Sequence, residues 1–243
     1  MRTFGLIGFP LTHSFSQKYF TDKFLTEKIE YIEYCNFPIE KIEDVQQVFE
    51  NENLCGFNVT IPYKETIIQF LDELDSSSSG VGAVNTVVFR NGNKIGYNTD
   101  VYGFENSLKP LLNEHHNKAL ILGTGGSSKA VAYVLKKLRI EFQFVSRNQI
   151  ANSISYDDLK PQTILEHKLI INTTPLGMFP EIQDAPGIPY SFISSQHLLF
   201  DLIYNPEETE FLKRGKQQGA QTKNGLEMLQ LQAEKSWEIW NKF

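Results

Sequence analysis

A glycine-rich turn between an apolar run and a helix-forming segment constrains the fold of this chain most strongly. Residues 119–122 are apolar, three glycines follow within residues 123–126, and residues 129–139 are helix-forming. This order predicts a strand, a tight turn and a helix whose first backbone N–H groups bind a phosphate. Gly123 permits the sharp turn, while Gly125 and Gly126 lack the Cβ atoms that would keep a pyrophosphate away. The stretch predicts a nucleotide site, although any tight turn before a helix can produce a similar glycine pattern.

Composition and charge limit the class of protein. A chain of 243 residues fits one large domain or two modest ones. Its net charge of −6 argues against nucleic-acid binding, and no stretch has the length of a membrane span. Cys35 and Cys55 lack metal-ligand or redox spacing and are interpreted as reduced thiols. We therefore expect a soluble cytoplasmic protein without nucleic-acid or membrane partners. Both a monomer and a homodimer are compatible with the sequence.

Strand and helix signals alternate on both sides of the glycine-rich turn. The predicted strands span residues 3–9, 31–37, 56–61, 84–90, 94–97, 119–122, 141–146, 168–172 and 198–203. The predicted helices span residues 17–28, 42–49, 66–74, 102–112, 129–139, 207–218 and 226–240, and a Ser-rich loop is predicted at 75–79. This alternation predicts an α/β fold. Because a Rossmann-type unit beginning near residue 102 leaves about 100 residues before it, we expect two domains.

The end of the strand after the turn indicates which dinucleotide is bound. NAD-binding Rossmann units place a carboxylate there for the ribose hydroxyls, but this strand ends in Ser146-Arg147-Asn148. The guanidinium of Arg147 suits the 2′-phosphate of NADP, which it can bind bidentately. The missing carboxylate also argues against a methyltransferase of this fold. NADP is the predicted cofactor, and a solvated surface arginine is the alternative interpretation of Arg147.

A lysine and an aspartate follow two of the N-terminal strands. Lys64 comes just after Pro62 ends one strand, and Asp100 ends the run from Tyr97. Interconversion of a carbonyl and an alcohol needs a proton donor and acceptor at the reacting oxygen, and a lysine oriented by a carboxylate can serve. The alternatives are an ordinary exposed lysine and an aspartate that caps a helix.

Two serines precede the first predicted helix. Ser14 and Ser16 could form a cradle of hydroxyl groups for a substrate carboxylate, or Ser16 could only cap the helix. His13, beside them, is interpreted as structural.

Several ordered motifs resemble the shikimate dehydrogenase family. They are Gly8-x-Pro10-x-x-His13-Ser14-x-Ser16, Asn58-Val59-Thr60-x-Pro62-x-Lys64, Gly82-Ala83-Val84-Asn85-Thr86, Asn98-Thr99-Asp100-x-x-Gly103, Asn172-Thr173-Thr174-Pro175-Leu176-Gly177-Met178, Asp201-x-x-Tyr204-x-Pro206 and Gly225-x-x-Met228-Leu229-x-x-Gln232-Ala233. They extend from about residue 5 to residue 240. The family reduces 3-dehydroshikimate to shikimate with NADPH in aromatic amino-acid biosynthesis.

The resemblance implies a fold and a set of domains. The expected architecture is an N-terminal α/β substrate-binding domain with a mixed, mostly parallel sheet at residues 1–101. A Rossmann-type NADP-binding domain is expected at 102–225. The final helix, residues 226–243, is expected to pack back on the first domain.

The resemblance also implies roles for individual residues. Lys64 and Asp100 would be the catalytic pair. The substrate would be bound by Ser14, Ser16, Thr60, Asn85, Tyr204 and Gln232. The cofactor would be bound by Gly123, Thr124, Gly125, Gly126, Ser127, Ser146, Arg147, Thr173, Met178 and Gly225. No metal is implied.

The chain departs from the family pattern at a few positions. Gln17 stands where the family usually has proline, and Phe20 where it often has histidine. Ser146 and Asn148 flank the arginine of the nucleotide motif, where the family has Asn and Thr. Two alternatives therefore stay open beside an NADP-dependent shikimate dehydrogenase. One is a quinate/shikimate dehydrogenase that uses NAD, and the other is a non-catalytic regulator that binds NADP or shikimate.

Overall fold

The chain divides into two units. The computed structural model describes residues 1–11, 15–147 and 153–242. One unit comprises Met1–Thr99 together with Ala233–Phe243, and the other comprises Asp100–Gln232. The domain boundaries expected from the sequence remain predictions.

The first unit is built on a mixed sheet. Its strands are β1 Arg2–Gly8, β2 Ile32–Pro38, β3 Leu54–Val59, β4 Glu73–Leu74, β5 Thr86–Arg90 and β6 Asn93–Tyr97. In the described residues their order is β2-β1-β3-β5-β6-β4. The pairs β1–β2, β1–β3 and β4–β6 are parallel, whereas β5 runs antiparallel to β3 and β6. The predicted mixed, mostly parallel sheet is confirmed.

Helices cover both faces of this sheet. They are α1 Phe15–Thr26, α2 Val45–Phe49 and α3 Ser76–Val81, together with 3₁₀ helices at Ile42–Asp44 and Thr66–Phe70. One face of the sheet packs against α2 and the 3₁₀ segments around Phe57. The other packs against α1 and the C-terminal helix, where the Trp240 ring stacks on Phe4 at 4.7 Å. The end of the chain therefore contributes to the core around its first strand.

Two local predictions in this unit were wrong. The Ser-rich stretch is the helix α3, because the Asp75 carboxylate accepts hydrogen bonds from the backbone N–H groups of Ser77 and Ser78 and Gly82 ends the helix with φ +71°. The helix predicted at 66–74 is a short 3₁₀ helix followed by β4, because Leu71 has extended backbone angles.

The second unit is built on a parallel sheet. Its strands are β7 Lys118–Leu122, β8 Glu141–Ser146, β9 Ser153–Ser155, β10 Leu169–Asn172, β11 Leu198–Asp201 and β12 Gln221–Lys223. Within the described ranges their order is β12-β11-β10-β7-β8-β9, and every pair is parallel. The helices of the unit are α4 Thr99–Leu108, α5 Gly126–Lys137, α6 Pro161–Glu166, α7 Glu210–Gln217 and α8 Leu226–Asn241. The first residue of α4, Thr99, belongs to the first unit, and α8 continues into that unit from Ala233.

The strand order of the second sheet locates its binding edge. The chain runs from β7 outward through β8 to β9 and then returns to place β10 on the other side of β7. Ligands of such sheets bind outside the carboxyl ends of the strands at this change of direction. The predicted α/β fold with a Rossmann-type unit is confirmed. No helix of the described part of the chain is long and apolar enough to cross a membrane.

Candidate active site

The glycine-rich turn lies at the change of direction in the second sheet. Gly123 follows β7 with φ +99°, a conformation that favours glycine, and its N–H donates to the carbonyl of Val145 at the end of β8. A Cβ on Gly123 would lie 2.9 Å from the Thr173 hydroxyl oxygen. Thr173 itself donates to the Leu122 carbonyl through its N–H at 2.9 Å and its hydroxyl at 2.6 Å. The structure thus brings Gly123 and Thr173, two predicted cofactor residues, together.

The start of α5 fits a diphosphate. The helix begins at Gly126 with Gly125 as its N-cap, and no side chain caps it. A Cβ on Gly125 or Gly126 would meet nothing within 4 Å, so there is open space in front of the first turn. Thr124 is exposed and Ser127 is half-buried beside these glycines. Uncapped N–H groups and the positive end of a 12-residue helix suit the phosphates of NADP.

The end of β8 carries the predicted nucleotide-selecting residues. Ser146 is buried, Arg147 is exposed, and Asn148 lies outside the described residues. Burial raises the pKa of Tyr156 to about 12, and the positive charge of Arg147 opposes that shift. The Tyr156 hydroxyl is buried and has no hydrogen-bond partner within the described ranges. Arg147 and the phenol of Tyr156 are therefore neighbours at the edge of the sheet where the nucleotide is expected.

The loops after β10 and β11 are joined by one carboxylate. Asp201 is fully buried, and its oxygens accept hydrogen bonds from Asn172 Nδ2 at 3.0 Å and from the Ile203 N–H at 3.0 Å. The Thr209 hydroxyl donates to the other oxygen at 2.6 Å and also caps α7. Burial raises the pKa of Asp201 to about 7, although these three hydrogen bonds act to lower it.

The remaining predicted residues of the second unit lie on or near these loops. Met178 and Tyr204 are exposed, and partial burial raises the pKa of Tyr204. Gly225 is buried, and its N–H donates to the Ile203 carbonyl. A Cβ at this position would clash with the backbone of Leu202, so the site requires glycine.

Gln232 lies further along α8, in the same unit. A Cβ on Gly103 would lie 3.1 Å from the Gln232 Cβ, so α4 and α8 are in close contact at this point. The Gln232 side-chain amide donates to the Leu229 carbonyl at 2.9 Å.

In the first unit, Thr60 and Lys64 lie on the segment that follows β3. The Thr60 N–H donates to the Ile7 carbonyl, and the Thr60 methyl group packs so closely on Gly8 that a Cβ there would clash. The Lys64 carbonyl accepts from the Val84 N–H at 2.7 Å, and the Lys64 side chain is half-buried. The segment is thus held against β1 and against the residues before Asn85.

Asn85 is oriented by the start of α4. Its side-chain oxygen accepts from the Thr99 N–H at 2.7 Å and from the Thr99 hydroxyl at 3.1 Å. The amide orientation is thereby set, and the side chain is buried. Asp100, the next residue of α4, is also buried.

Ser16 belongs to a buried polar network that the motifs alone did not reveal. It lies within α1, and its side chain is hydrogen-bonded to the hydroxyl of Tyr34. That hydroxyl donates to Asn58 Oδ1 at 2.9 Å. Asn58 Nδ2 in turn donates to the Asn85 carbonyl at 3.1 Å and to the hydroxyls of Thr86 and Ser236, each at 3.0 Å. Ser16 and Asn85, two predicted substrate residues, are thus linked through two side chains.

The sequence carried a partial signal for this network. Asn58 is a polar residue in a buried strand, which requires hydrogen-bond partners. Nothing in the spacing identified Tyr34 or Ser236 as those partners. Ser14, the other predicted carboxylate ligand, lies outside the described residues.

The predicted site residues thus fall into two sets. Ser16, Thr60, Lys64 and Asn85 belong to the first unit, whereas Asp100, Tyr204, Gln232 and the cofactor residues belong to the second. The pairing of Lys64 with Asp100 stays a prediction. Within the described residues, no group of three or more His, Cys, Asp or Glu side chains is arranged to hold a metal ion.

Comparisons with known proteins give full-length similarity. The family model described as shikimate dehydrogenase substrate binding domain matches residues 6–87. Shikimate dehydrogenase (NADP(+)) of Methanococcus vannielii is 38% identical over 261 positions, which cover 98% of this chain and 91% of that protein.

Solved structures agree over the whole chain. Shikimate dehydrogenase 1 from Peptoclostridium difficile has a TM-score of 0.84 at 38% identity, covering 100% of this chain and 92% of that one. Shikimate 5-dehydrogenase from Thermus thermophilus, in complex with NADP(H) and shikimate, has a TM-score of 0.87 at 26% identity, covering 100% of this chain and 94% of that one.

Proposed function

Because the chain belongs to the shikimate dehydrogenase family, we propose that it catalyses the reversible NADPH-dependent reduction of 3-dehydroshikimate to shikimate. The observation that carries this proposal is the 38% identity, over 98% of the chain, to an NADP(+)-dependent shikimate dehydrogenase. The family resemblance and the oxidoreductase function inferred from the motifs are confirmed by these relatives. Cytoplasmic localisation and a monomeric or homodimeric state remain predictions.

The second unit would hold the cofactor. The name of the Methanococcus relative and the NADP(H) in the Thermus structure support NADP. The uncapped N–H groups at the start of α5 would bind the diphosphate, and Arg147 would bind the 2′-phosphate. Thr124, Ser127, Ser146 and Thr173 would add contacts to the cofactor, whereas Met178 and Gly225 would border the nicotinamide.

The first unit would supply the proton, and predicted residues of both units would bind the substrate. NADPH, when bound, supplies the hydride that reduces the carbonyl carbon. The oxygen left with negative charge needs a proton, and we assign its delivery to the Lys64 ammonium, with Asp100 as the group that orients it. Ser14 and Ser16 would bind the carboxylate, and Thr60, Asn85, Tyr204 and Gln232 would bind the remaining polar groups.

The substrate and cofactor are tested in one assay. Nicotinamide absorbance is followed with shikimate or quinate, each with NADP or NAD. We expect turnover with shikimate and NADP. Equal turnover of quinate with NAD would indicate the quinate/shikimate enzyme, and NADPH binding without turnover would indicate a regulator.

The assigned proton carrier is tested by substitution. Lys64→Ala should lower kcat by roughly 100- to 10,000-fold, as expected for lost general acid–base catalysis, with NADPH affinity nearly unchanged. The exposed Lys41, in the same unit, provides the control variant Lys41→Ala, which should retain full activity. If activity survives in Lys64→Ala, the proton is carried by another group.

A further inference from the structure

We propose that Asp201 is a positioning residue that aligns the nicotinamide end of the cofactor site; this inference rests on the proposed function. Asp201 need not touch cofactor or substrate for this role. It acts through the loops that follow β10 and β11, because its carboxylate is the group that joins them.

The hydrogen bonds of Asp201 reach two loops and a helix. Asn172, at the end of β10, donates to the carboxylate through Nδ2. Its own Oδ1 accepts from the N–H of Thr174 at 3.0 Å and from the Thr174 hydroxyl at 2.6 Å. The Ile203 N–H bond orients the start of the loop after β11, and Thr209 links the carboxylate to α7. One buried side chain therefore links both turns to each other and to α7.

The residues held by these turns are predicted cofactor and substrate residues. Thr173 lies between Asn172 and Thr174, and Met178, predicted to border the nicotinamide, lies further along the same loop. Tyr204 directly follows Ile203, whose carbonyl accepts the Gly225 N–H. The Phe179 N–H also donates to the Asn205 carbonyl at 3.4 Å, which joins the two loops a second time. A shift of Asp201 would therefore displace Met178 and Gly225, the residues predicted to border the nicotinamide, together with Thr173 and Tyr204.

A carboxylate suits this position because three donors converge on it. Two of them share Oδ1 and the third uses Oδ2. An apolar residue would avoid the desolvation of a carboxylate but would leave three buried donors without acceptors, which is costly. An asparagine at position 201 would retain the Oδ1 atom that accepts from Asn172 and Ile203. Its Nδ2 could donate to the Thr209 hydroxyl in place of the bond that Oδ2 accepts.

The test compares substitutions on the two sides of the carboxylate. Asp201→Ala removes all three hydrogen bonds, whereas Thr209→Val removes only the bond from the α7 side, together with the cap of that helix. Asp201→Asn is the conservative rescue. Asn172→Ala is a milder change that keeps the carboxylate, and it replaces Asp201→Ala in the test if that variant does not fold. The measurements are NADPH affinity from the fluorescence of the bound nicotinamide, kcat with shikimate, and Tm.

The positioning role predicts a split between these variants. Asp201→Ala and Asn172→Ala should bind NADPH about 10-fold more weakly and lose about 100-fold in kcat, because misplacing a reactant by about 1 Å costs roughly that much. Thr209→Val should lower Tm by about 2–4 °C with NADPH affinity and kcat unchanged. Asp201→Asn should restore affinity and kcat close to wild type.

A different pattern overturns the inference. If Asp201→Ala, or Asn172→Ala in its place, lowers Tm while NADPH affinity and kcat stay at wild-type values, the network serves stability alone. Failure of the wild-type chain to oxidise shikimate would instead contradict the proposed function. In that case the NADPH affinities of the variants, compared with that of the wild type, still test the positioning role of Asp201.

Discussion

The first unit connects its predicted substrate residues through uncharged groups, whereas the second connects its cofactor loops through a carboxylate. In the first unit the side-chain oxygen of Asn58 accepts a hydrogen bond from the Tyr34 hydroxyl. The side-chain nitrogen of Asn58 donates to the hydroxyls of Thr86 and Ser236. In the second, Asp201 accepts three hydrogen bonds while fully buried. Both networks satisfy buried polar groups, but only that of Asp201 contains an acid at its centre.

The two networks differ in how far a change of pH can alter them. Phenol, hydroxyl and amide groups keep their protonation across the working range, and burial raises the pKa of Tyr34 further. Burial raises the pKa of Asp201 to about 7. Burial also raises the pKa of the nearby Tyr190, and the negative charge of Asp201 adds to that rise. We therefore expect the second unit, rather than the first, to respond to pH near neutrality.

The largest expected effect is the pH dependence that Asp201 confers on stability. An unfolded aspartate has a pKa of about 3.9, so the native state binds more protons between about pH 4 and pH 7. The stability that this group contributes is complete below about pH 4 and is lost as pH rises through about 7. As pH rises between those limits, the wild type should lose about 4 kcal/mol of unfolding free energy relative to the Asp201→Asn variant, whose side chain does not titrate.

Denaturant unfolding of both proteins at pH 4.5 and pH 8 should show about 3 kcal/mol of this change, because an unfolded aspartate is already mostly ionised at pH 4.5. The comparison with the variant is needed because burial lowers the pKa of His116 and His197, which destabilises the native state as pH falls through their unfolded pKa of about 6.5. A difference that stays constant with pH would mean that Asp201 titrates normally.

The next effect concerns the uncharged network. Asn58→Leu removes the acceptor of the Tyr34 hydroxyl and the donor to the Asn85 carbonyl, and should cost about 3 kcal/mol of unfolding free energy. The loss should be equal at pH 5 and pH 8, because no acid is involved. KM for shikimate should rise, because Ser16 and Asn85 lose their common support.

A companion variant sharpens this comparison. Asn58→Asp places an oxygen opposite the Asn85 carbonyl and makes the first network ionisable. Its stability should then decrease with rising pH, as expected for the second unit. A pH-independent Asn58→Asp variant would contradict the assignment of pH sensitivity to a buried acid.

The smallest effect is expected at the periphery of the same network. Ser236 bonds to Asn58 at 3.0 Å and to Thr86 at 2.8 Å, and Ser236→Ala should cost about 1 kcal/mol without pH dependence. Ser191, which is exposed in the second unit, is the matched control, and Ser191→Ala should change stability by less than about 0.5 kcal/mol. Equal losses in the two variants would show that the Ser236 hydroxyl adds nothing to the network.

Helices and strands with a clear pattern in their own residues were predictable, whereas short strands that form only by pairing with a neighbouring strand were not. Strand β8 was predicted at its observed bounds, Glu141–Ser146, because its β-forming run is bounded by a helix and a polar turn. The three-residue strands β9 and β12 carry no such signal, since each forms by pairing with one edge of the parallel sheet. The Ser-rich helix α3 did have a local signal, because Asp75 is a typical N-cap residue. The prediction of a loop from the serines did not take this cap into account.

Fold class and family follow from the amino-acid sequence alone. Local rules act over a few positions, so a turn such as Gly123–Gly126 is visible in the chain as the glycine-rich start of a helix. The side chains that support such elements could be identified only in the folded structure. Tyr34 contacts Asn58 across 24 positions and Ser236 contacts it across 178. Asp201 accepts from the end of β10, the loop after β11 and the N-cap of α7. Such pairings arise because buried polar groups must find partners wherever packing brings them, and packing is a property of the whole fold.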